Sequence, residues 1–407
     1  MRKTSVQALV GFLGLVSAAA ACSASSDARF RGTSSGVGGN DGAGGDSATS
    51  SGSFEPGVGG GGGSTGSADA CDGAPSDDSD KDGFSANEGD CNDCDPNVNP
   101  GALEVPTDPK DPKAKQSDEN CDGKVDEVTQ PCDAGLQLSD LDAMNGARAI
   151  GICKALKQGE KGWGVMSAAY TRANGTPASP GAAAGLLAKF GANVKPREGG
   201  TLLALSSGNA RDASMAGACG SQTCYTSGPG TAPMGFPQDV PGCSGDTDIN
   251  DDVALSLKLK TPSNATGYSF DFDFYSFEYP EWVCTSFNDQ FIALVNPPPM
   301  GSINGNISFD SKKNPVSVNI AFFQVCGGCA LGEQELLGTG FDSWDDAGAT
   351  SWLTTQAPVK GGDTIDLRFA IWDTGDQAWD STVLVDNFKW IATPGMTVSV
   401  NTVPTPK

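Results

Sequence analysis

The sequence predicts a mainly β protein, an antiparallel, jelly-roll-like β-sandwich preceded by a disordered linker, an Asp-rich loop segment and a small helical lead-in. Three observations carry that expectation. Tyr268, Phe270, Phe272 and Phe274 alternate with Ser269, Asp271 and Asp273, the period of a strand with one buried face. The alternation returns in Val316-x-Val318-x-Ile320-x-Phe322 and Ile365-x-Leu367-x-Phe369-x-Ile371, with Asn, Gly, Pro and Asp turns between and no intervening helical pattern. Short antiparallel strands follow from this, rather than βαβ units. Gly and Pro, at 55 and 25 of 407 residues, exceed ordinary usage and call for an extended part beside the compact one.

Composition narrows the function classes. Fifty acidic side chains against 26 basic ones leave a net charge of -24, so nucleic acid and anionic lipid headgroups are poor partners. The chain has no histidine, which removes the Ser-His-Asp triad, the Cys-His pair, His-ligated zinc and a histidine pH switch.

Residues 1–21 read as a targeting signal. Arg2 and Lys3 precede an apolar stretch, Ala8 to Ala21, too short to span the roughly 30 Å hydrocarbon core. It ends Ala19-Ala20-Ala21-Cys22. This resembles a bacterial lipoprotein signal, in which the Cys is lipidated and becomes the mature N-terminus; Ala19 stands where Leu is usual. Ordinary cleavage at Ala-x-Ala, releasing a secreted protein, is the alternative. The lipoprotein reading implies the bacterial cell envelope, an outer-membrane lipoprotein or exported protein, with membrane contact only through lipid on Cys22. Of 13 cysteines, the other 12 are an even number suited to disulfides in an oxidising compartment.

Residues 22–68 read as a disordered tether. Gly and Ser supply 22 of the 36 residues from Thr33 to Ala68, and too few apolar side chains remain to offset the entropy of ordering them. Its reach is about 35 Å.

Residues 69–130 form the acidic segment, with 18 Asp and Glu against five Lys between Asp69 and Glu127. Asp78-x-Asp80-x-Asp82-Gly83-Phe84 places carboxylates at loop positions 1, 3 and 5, Gly at the sharp turn and a backbone carbonyl after it, the arrangement by which an EF-hand-like loop wraps Ca²⁺. Gly89 occupies the position of the EF-hand's closing Glu, so Asp90 or Asp93 must complete the shell. Asp118-x-Asn120-x-Asp122-Gly123, followed by Asp126 and Glu127, repeats the pattern. So many carboxylates repel one another without a cation.

The run Asp80-x-Asp82-Gly83-Phe84, Gly89-Asp90-Cys91-Asn92-Asp93, Asn99-Pro100-Gly101-Ala102-x-Glu104-Val105 and Glu119-Asn120-Cys121-Asp122-Gly123-x-Val125-Asp126-Glu127 resembles the metal-binding motif of bacterial surface proteins and is similar to thrombospondin type 3 repeats. Pro106 follows Val105 where that family has Cys, and Cys94 is additional. The family is sometimes associated with copper, but oxygen donors without histidine suit Ca²⁺, in a structural role.

Residues 131–250 read as a loop-rich lead-in. Ser139-x-x-Asp142 opens a helix running to about Leu156 on Leu141, Met144, Ala147 and Ala155. Ala182 to Phe190 is a second short helix, and Thr201 to Ser206 a strand. Cys219, Cys224 and Cys243 are disulfide staples; their spacing does not suit zinc.

Residues 251–392 are the sandwich, with further strands at Val253–Leu259, Phe291–Val295, Ile303–Phe309 and Thr382–Phe388, and 393–407 a C-terminal tail. Phe272-x-Phe274-Tyr275-Ser276-x-Glu278-Tyr279-Pro280-Glu281, Phe287-Asn288-Asp289-x-Phe291, Gly338-Thr339-Gly340-Phe341, Ala349-Thr350-Ser351-Trp352-Leu353-Thr354-Thr355, Ile371-Trp372-Asp373-Thr374-Gly375-Asp376 and Asp380-Ser381-Thr382-Val383-Leu384-Val385-Asp386-Asn387-Phe388 resemble the choice-of-anchor L domain. That resemblance implies secretion and display, and no particular reaction.

Glu278, Asn288, Asp289, Asp373, Asp376, Asp380 and Asp386 fall at expected strand ends. They either cap turns or supply a second metal site, for which Glu278, Asn288, Asp289, Asp380 and Asp386 are the candidates. The leading expectation is a non-enzymatic, Ca²⁺-stabilised surface lipoprotein presenting its sandwich for adhesion or envelope organisation, with glycans or envelope proteins as partners. The alternatives are a lectin-like module using Trp282, Trp344, Trp352 or Trp379, and a hydrolase using the Glu278 and Glu281 carboxylates.

Overall fold

The computed structural model describes residues 73–107, 110, 115–320, 322–344, 346–393 and 395–405; the expected signal segment, Cys22 and the Gly/Ser tether lie outside them. The strands are β1 (Gly164–Thr171), β2 (Ala184–Leu187), β3 (Leu202–Ser206), β4 (Ile249–Lys260), β5 (Gly267–Ser276), β6 (Gln290–Asn296), β7 (Val316–Ser317), β8 (Gly348–Ala349), β9 (Leu353–Pro358), β10 (Thr364–Thr374), β11 (Ser381–Ile391) and β12 (Asn401–Pro404), and α1 spans Ala143–Ala149. One sheet runs β1-β4-β10-β6-β7 and the other β12-β9-β5-β11-β3-β2, with β8 beside β5. Pairing within both is antiparallel. From β4 to β5, β5 to β6, β9 to β10 and β10 to β11 the chain changes sheet, as a jelly-roll-like β-sandwich requires.

The apolar face of β5 makes the core between the sheets. Phe270 meets Phe369 of β10 edge-on at 4.9 Å, and Phe272 meets Phe291 of β6 at 5.1 Å. All four rings are fully buried, each contributing about 1.5–3 kcal/mol of apolar transfer. The outer face of the β5 sheet is covered too, by a cluster around Phe190, Tyr275, Phe277 and Phe341. Asp271 and Asp273 on β5 are therefore buried instead of facing water as the alternation predicted. Tyr275 Oη donates to Asp273 at 2.8 Å, and the Arg197 Nε lies 3.3 Å from Asp271.

Several expected elements differ. The helix opened by Asp142, whose side chain accepts from the Met144 N–H, is a seven-residue α1. It stops before Gly151, whose φ of +96° is left-handed, and Ala155 instead bridges Val165. The expected helix at 182–190 is a turn over Gly181–Ala183 followed by β2; a short continuous apolar run does not distinguish a buried strand from a helix. In 316–322 two residues, Val316 and Ser317, find partners, opposite Phe291 and Gln290. The Ile303–Phe309 stretch forms isolated bridges. Strands β1, β9 and β12, not anticipated, join the sheets, so the sandwich draws on residues from 164 to 404.

The acidic segment docks on the β4–β5 connection. Leu103 N–H donates to Asn264 Oδ1 at 2.9 Å, Asn264 Nδ2 returns a bond to the Leu103 carbonyl at 2.8 Å, and Ser263 N–H donates to the Gly101 carbonyl at 2.9 Å. Disulfides join Cys91 to Cys121, Cys132 to Cys153, Cys219 to Cys224, Cys243 to Cys284 and Cys326 to Cys329, and Cys94 is disulfide-bonded as well.

Candidate metal centre

The first acidic loop is built by its own side chains. Asp78 Oδ1 accepts from the N–H groups of Lys81 (2.7 Å) and Asp82 (3.2 Å), and Oδ2 from Gly83 (3.0 Å). Gly83 sits at φ +101°, which a side chain tolerates poorly. Asp80, Asp82 and Asp90 each commit Oδ1 to a backbone N–H two residues on, at 3.2, 2.8 and 2.8 Å. Their Oδ2 atoms are buried without a hydrogen-bond partner. Those three residues offer ligand atoms within 4.8 Å of one another, and Asp78, Asp80 and Asp93 form an overlapping group.

Burial, with the neighbouring charges of Asp80 and Asp90, pushes Asp82 up to about 6; burial likewise raises Asp80 and Asp90. Asn99, fully buried, sits behind this group. Its side chain reaches Asp82, and its Oδ1 accepts from Gly101 N–H and Ser263 Oγ, both at 2.8 Å. Phe84, the expected carbonyl ligand, buries its ring against Gly101, where a Cβ would lie 2.8 Å from Cε2. Lys161 Nζ binds the Gly83 carbonyl at 2.8 Å and Glu88 at 2.6 Å from outside.

Three buried, unpartnered carboxyl oxygens on one short loop need a cation or protons. The donors are all oxygen, which fits Ca²⁺ and suits copper or zinc poorly. Asp78, Asp80, Asp82, Asp90 and Asp93 are the residues that would hold it.

The second loop is folded similarly but is less convergent. Asp118 accepts from Asp122 and Gly123 N–H at 3.1 and 2.8 Å, and Asn120 Nδ2 donates to Glu127 Oε1 at 2.8 Å. Asp122 is engaged by Lys124 Nζ at 3.0 Å. Asp126 turns away to Thr107 and Gln116. Glu104, which sequence spacing did not single out, accepts from Asn120 and Asp126 N–H, both at 3.0 Å. Glu127 Oε2 is buried and unpartnered, yet no three acids of this loop bring ligand atoms within 4.8 Å of one another among the described residues.

In the sandwich, the strand-end acids divide. Asp289 accepts from Thr374 N–H at 2.9 Å and Ser381 Oγ at 2.6 Å, and its own N–H donates to Glu278 at 3.4 Å. Asp373 and Asp380 join them as charge neighbours. Asn288 faces Asn319 instead. Asp386 stands apart, holding the backbone of Arg197, Glu198 and Asn387 at 2.6, 3.3 and 2.6 Å. These strand-end residues all lie within residues 171–388, the stretch that the family model for the choice-of-anchor L domain matches. The chain belongs to that family. No curated protein matched it.

As a choice-of-anchor L protein it is a surface-associated β-sandwich. Within the choice-of-anchor L domain Glu278 is buried in the acid group whereas Glu281 is exposed, its carboxyl raised by burial and by Asp346. Trp282 packs on Phe287 and Trp379, while Trp344 is 44% exposed at the rim of a cavity of about 140 Å³ that Arg211, Phe341 and Asp380 also line. Among the described residues no helix is long and apolar enough to cross a membrane.

Proposed function

We propose that the protein is a non-enzymatic, calcium-stabilised surface lipoprotein, tethered through Cys22, whose choice-of-anchor L sandwich is displayed for adhesion or envelope organisation. The observation that carries the calcium part is the convergence of the unpartnered Oδ2 atoms of Asp80, Asp82 and Asp90. Ca²⁺ there acts as the loop's core, which its few apolar residues cannot supply. Because Asn99 links Asp82 to Ser263, an ordered loop also orders the docking of the acidic segment on the β4–β5 connection.

Thermal melting of the full chain in calcium and in chelator tests this. The melting temperature is expected to rise with Ca²⁺ concentration, as ligand binding to the native state requires, and the rise should shrink in Asp80→Asn/Asp82→Asn. Identical melting with and without millimolar calcium would remove the structural role. A second reading, glycan recognition, is favoured by the half-exposed Trp344 beside Arg211 and Asp380; its check is loss of glycan-array binding in Trp344→Ala.

A further inference from the structure

Residues 224–230 form a surface loop that the sandwich holds firmly in place. Asp251 sits in β4 at a bulge, where the register with β10 shifts between Ile371 and Asp373, and its φ is +48°. Bulges re-aim side chains at sheet ends. Here Asp251 Oδ1 accepts the N–H groups of Thr226, Ser227 and Gly228, at 3.1, 2.5 and 2.6 Å. Asp251 N–H returns a bond to the Gly228 carbonyl at 2.9 Å, and Pro229 bridges Asn250. Asp380, just before β11, accepts Cys224 N–H at 2.8 Å, and a disulfide ties Cys224 to Cys219. Arg172 Nη2 donates to the Ser227 carbonyl at 3.1 Å, while its Nη1 pairs with buried Asp252 at 2.9 Å.

What this loop presents is Tyr225. It is 74% exposed, and among the described residues its ring and hydroxyl have no partner. Two clefts adjoin at it. One, of about 330 Å³, is lined by Tyr225 together with Arg172, Ser179, Asn209 and Asp252. The other, of about 840 Å³, is lined by Tyr225 together with Asp248, Asn250, Asp376 and Gln377. Asp248 and Asp376 are exposed, and Gln377 Nε2 lies 3.4 Å from Asn250 Oδ1. Neither Lys nor Arg lines the larger cleft.

We infer that Tyr225 is a stacking platform for a neutral, hydroxyl-rich oligosaccharide lying across the two clefts. This rests on the glycan reading above, and it moves the contact to a different aromatic and names the ligand class. An exposed aromatic ring offers its electron-rich face to the C–H groups on the flat side of a sugar ring. Asn, Gln and ionised Asp side chains accept and donate in fixed planes, which suits the neighbouring hydroxyls at that ring's edge. A few such groups converging beside one apolar surface set orientation and specificity. The exposed Asp248 and Asp376, in a cleft without Lys or Arg, repel uronic and sialic acids. A protein partner would require a wider apolar patch than a single ring. The bonds from Asp251, Asp380 and Arg172 matter because a platform already held in place loses little freedom on binding.

A glycan array of neutral, uronate and sialylated chains, probed with the full chain in calcium, tests this. The best-bound neutral oligosaccharide is then titrated by calorimetry. Neutral chains should bind and acidic ones should not, with little response to added salt. Tyr225→Ala should weaken binding at least ~10-fold at an unchanged melting temperature, because nothing packs on the ring. Tyr225→Phe keeps the stacking face and should restore most of the affinity. Binding unchanged in Tyr225→Ala overturns the platform; if Trp344→Ala then abolishes it, the glycan reading survives at the other cavity. Binding confined to acidic glycans, or none to any neutral chain at millimolar concentration, overturns the ligand class and the platform together. Calcium-dependent melting is untouched by either result and tests the structural reading on its own.

Discussion

Asp82 concentrates the chemistry of the first loop: one oxygen holds Phe84 N–H, and the other is buried and open. Replacing it by Asn should weaken Ca²⁺ binding at that loop at least ~10-fold, while leaving the chelated protein as stable or more so, because a like-charge neighbour is gone. Asn99→Ala removes the support behind Asp82 and should cost about 10–100-fold in the same titration. The loop's members were legible because the Asp-x-Asp-x-Asp-Gly spacing is local, and Gly83 adopts the left-handed turn the spacing demands. Glu104 as the acceptor for the Asn120 and Asp126 N–H groups was not. It reaches them from 16 and 22 residues away, and no local spacing announces such a contact. Asp386, a metal candidate because it falls at an expected strand end, serves the Arg197–Glu198 backbone instead.

At the scale of elements, β5 shows what periodicity reports. Its alternation placed Phe270 and Phe272 in the core correctly, but whether the other face meets water depends on chain that returns from positions 190 and 341. Phe272→Ala should destabilise by about 3–5 kcal/mol, read from urea unfolding. The start of α1 was legible from Asp142, and Asp142→Ala should cost about 1 kcal/mol in that same measurement. The helix's early end was not, since the apolar spacing continues to Ala155 past Gly151, whose left-handed φ of +96° ends the helix. The pattern at 316–322 failed for want of a neighbour: β6 offers partners to Val316 and Ser317, and alternation without a partner strand makes no sheet.

For the whole molecule, buried acids set the response to pH. Burial raises Asp82 to about 6, Asp289 and Asp386 to about 7, and Asp380 to about 8. A carboxyl raised in the folded state makes a contribution that is fully present below its unfolded value of roughly 4 and is lost as pH rises through the folded value. The chelated protein should therefore melt at lower temperature at pH 8 than at about pH 5. Calcium should flatten or reverse that slope, because a bound cation favours the ionised carboxylates. Differential scanning calorimetry across this range, with and without chelator, reads both signs. The most direct measurement is a crystal structure grown in calcium, with anomalous scattering used to locate the ion. A peak ringed by the Oδ2 atoms of Asp80, Asp82 and Asp90 at about 2.3–2.6 Å is the expected result. Those three carboxyl groups bonded to water alone, with no peak at millimolar calcium, would contradict it.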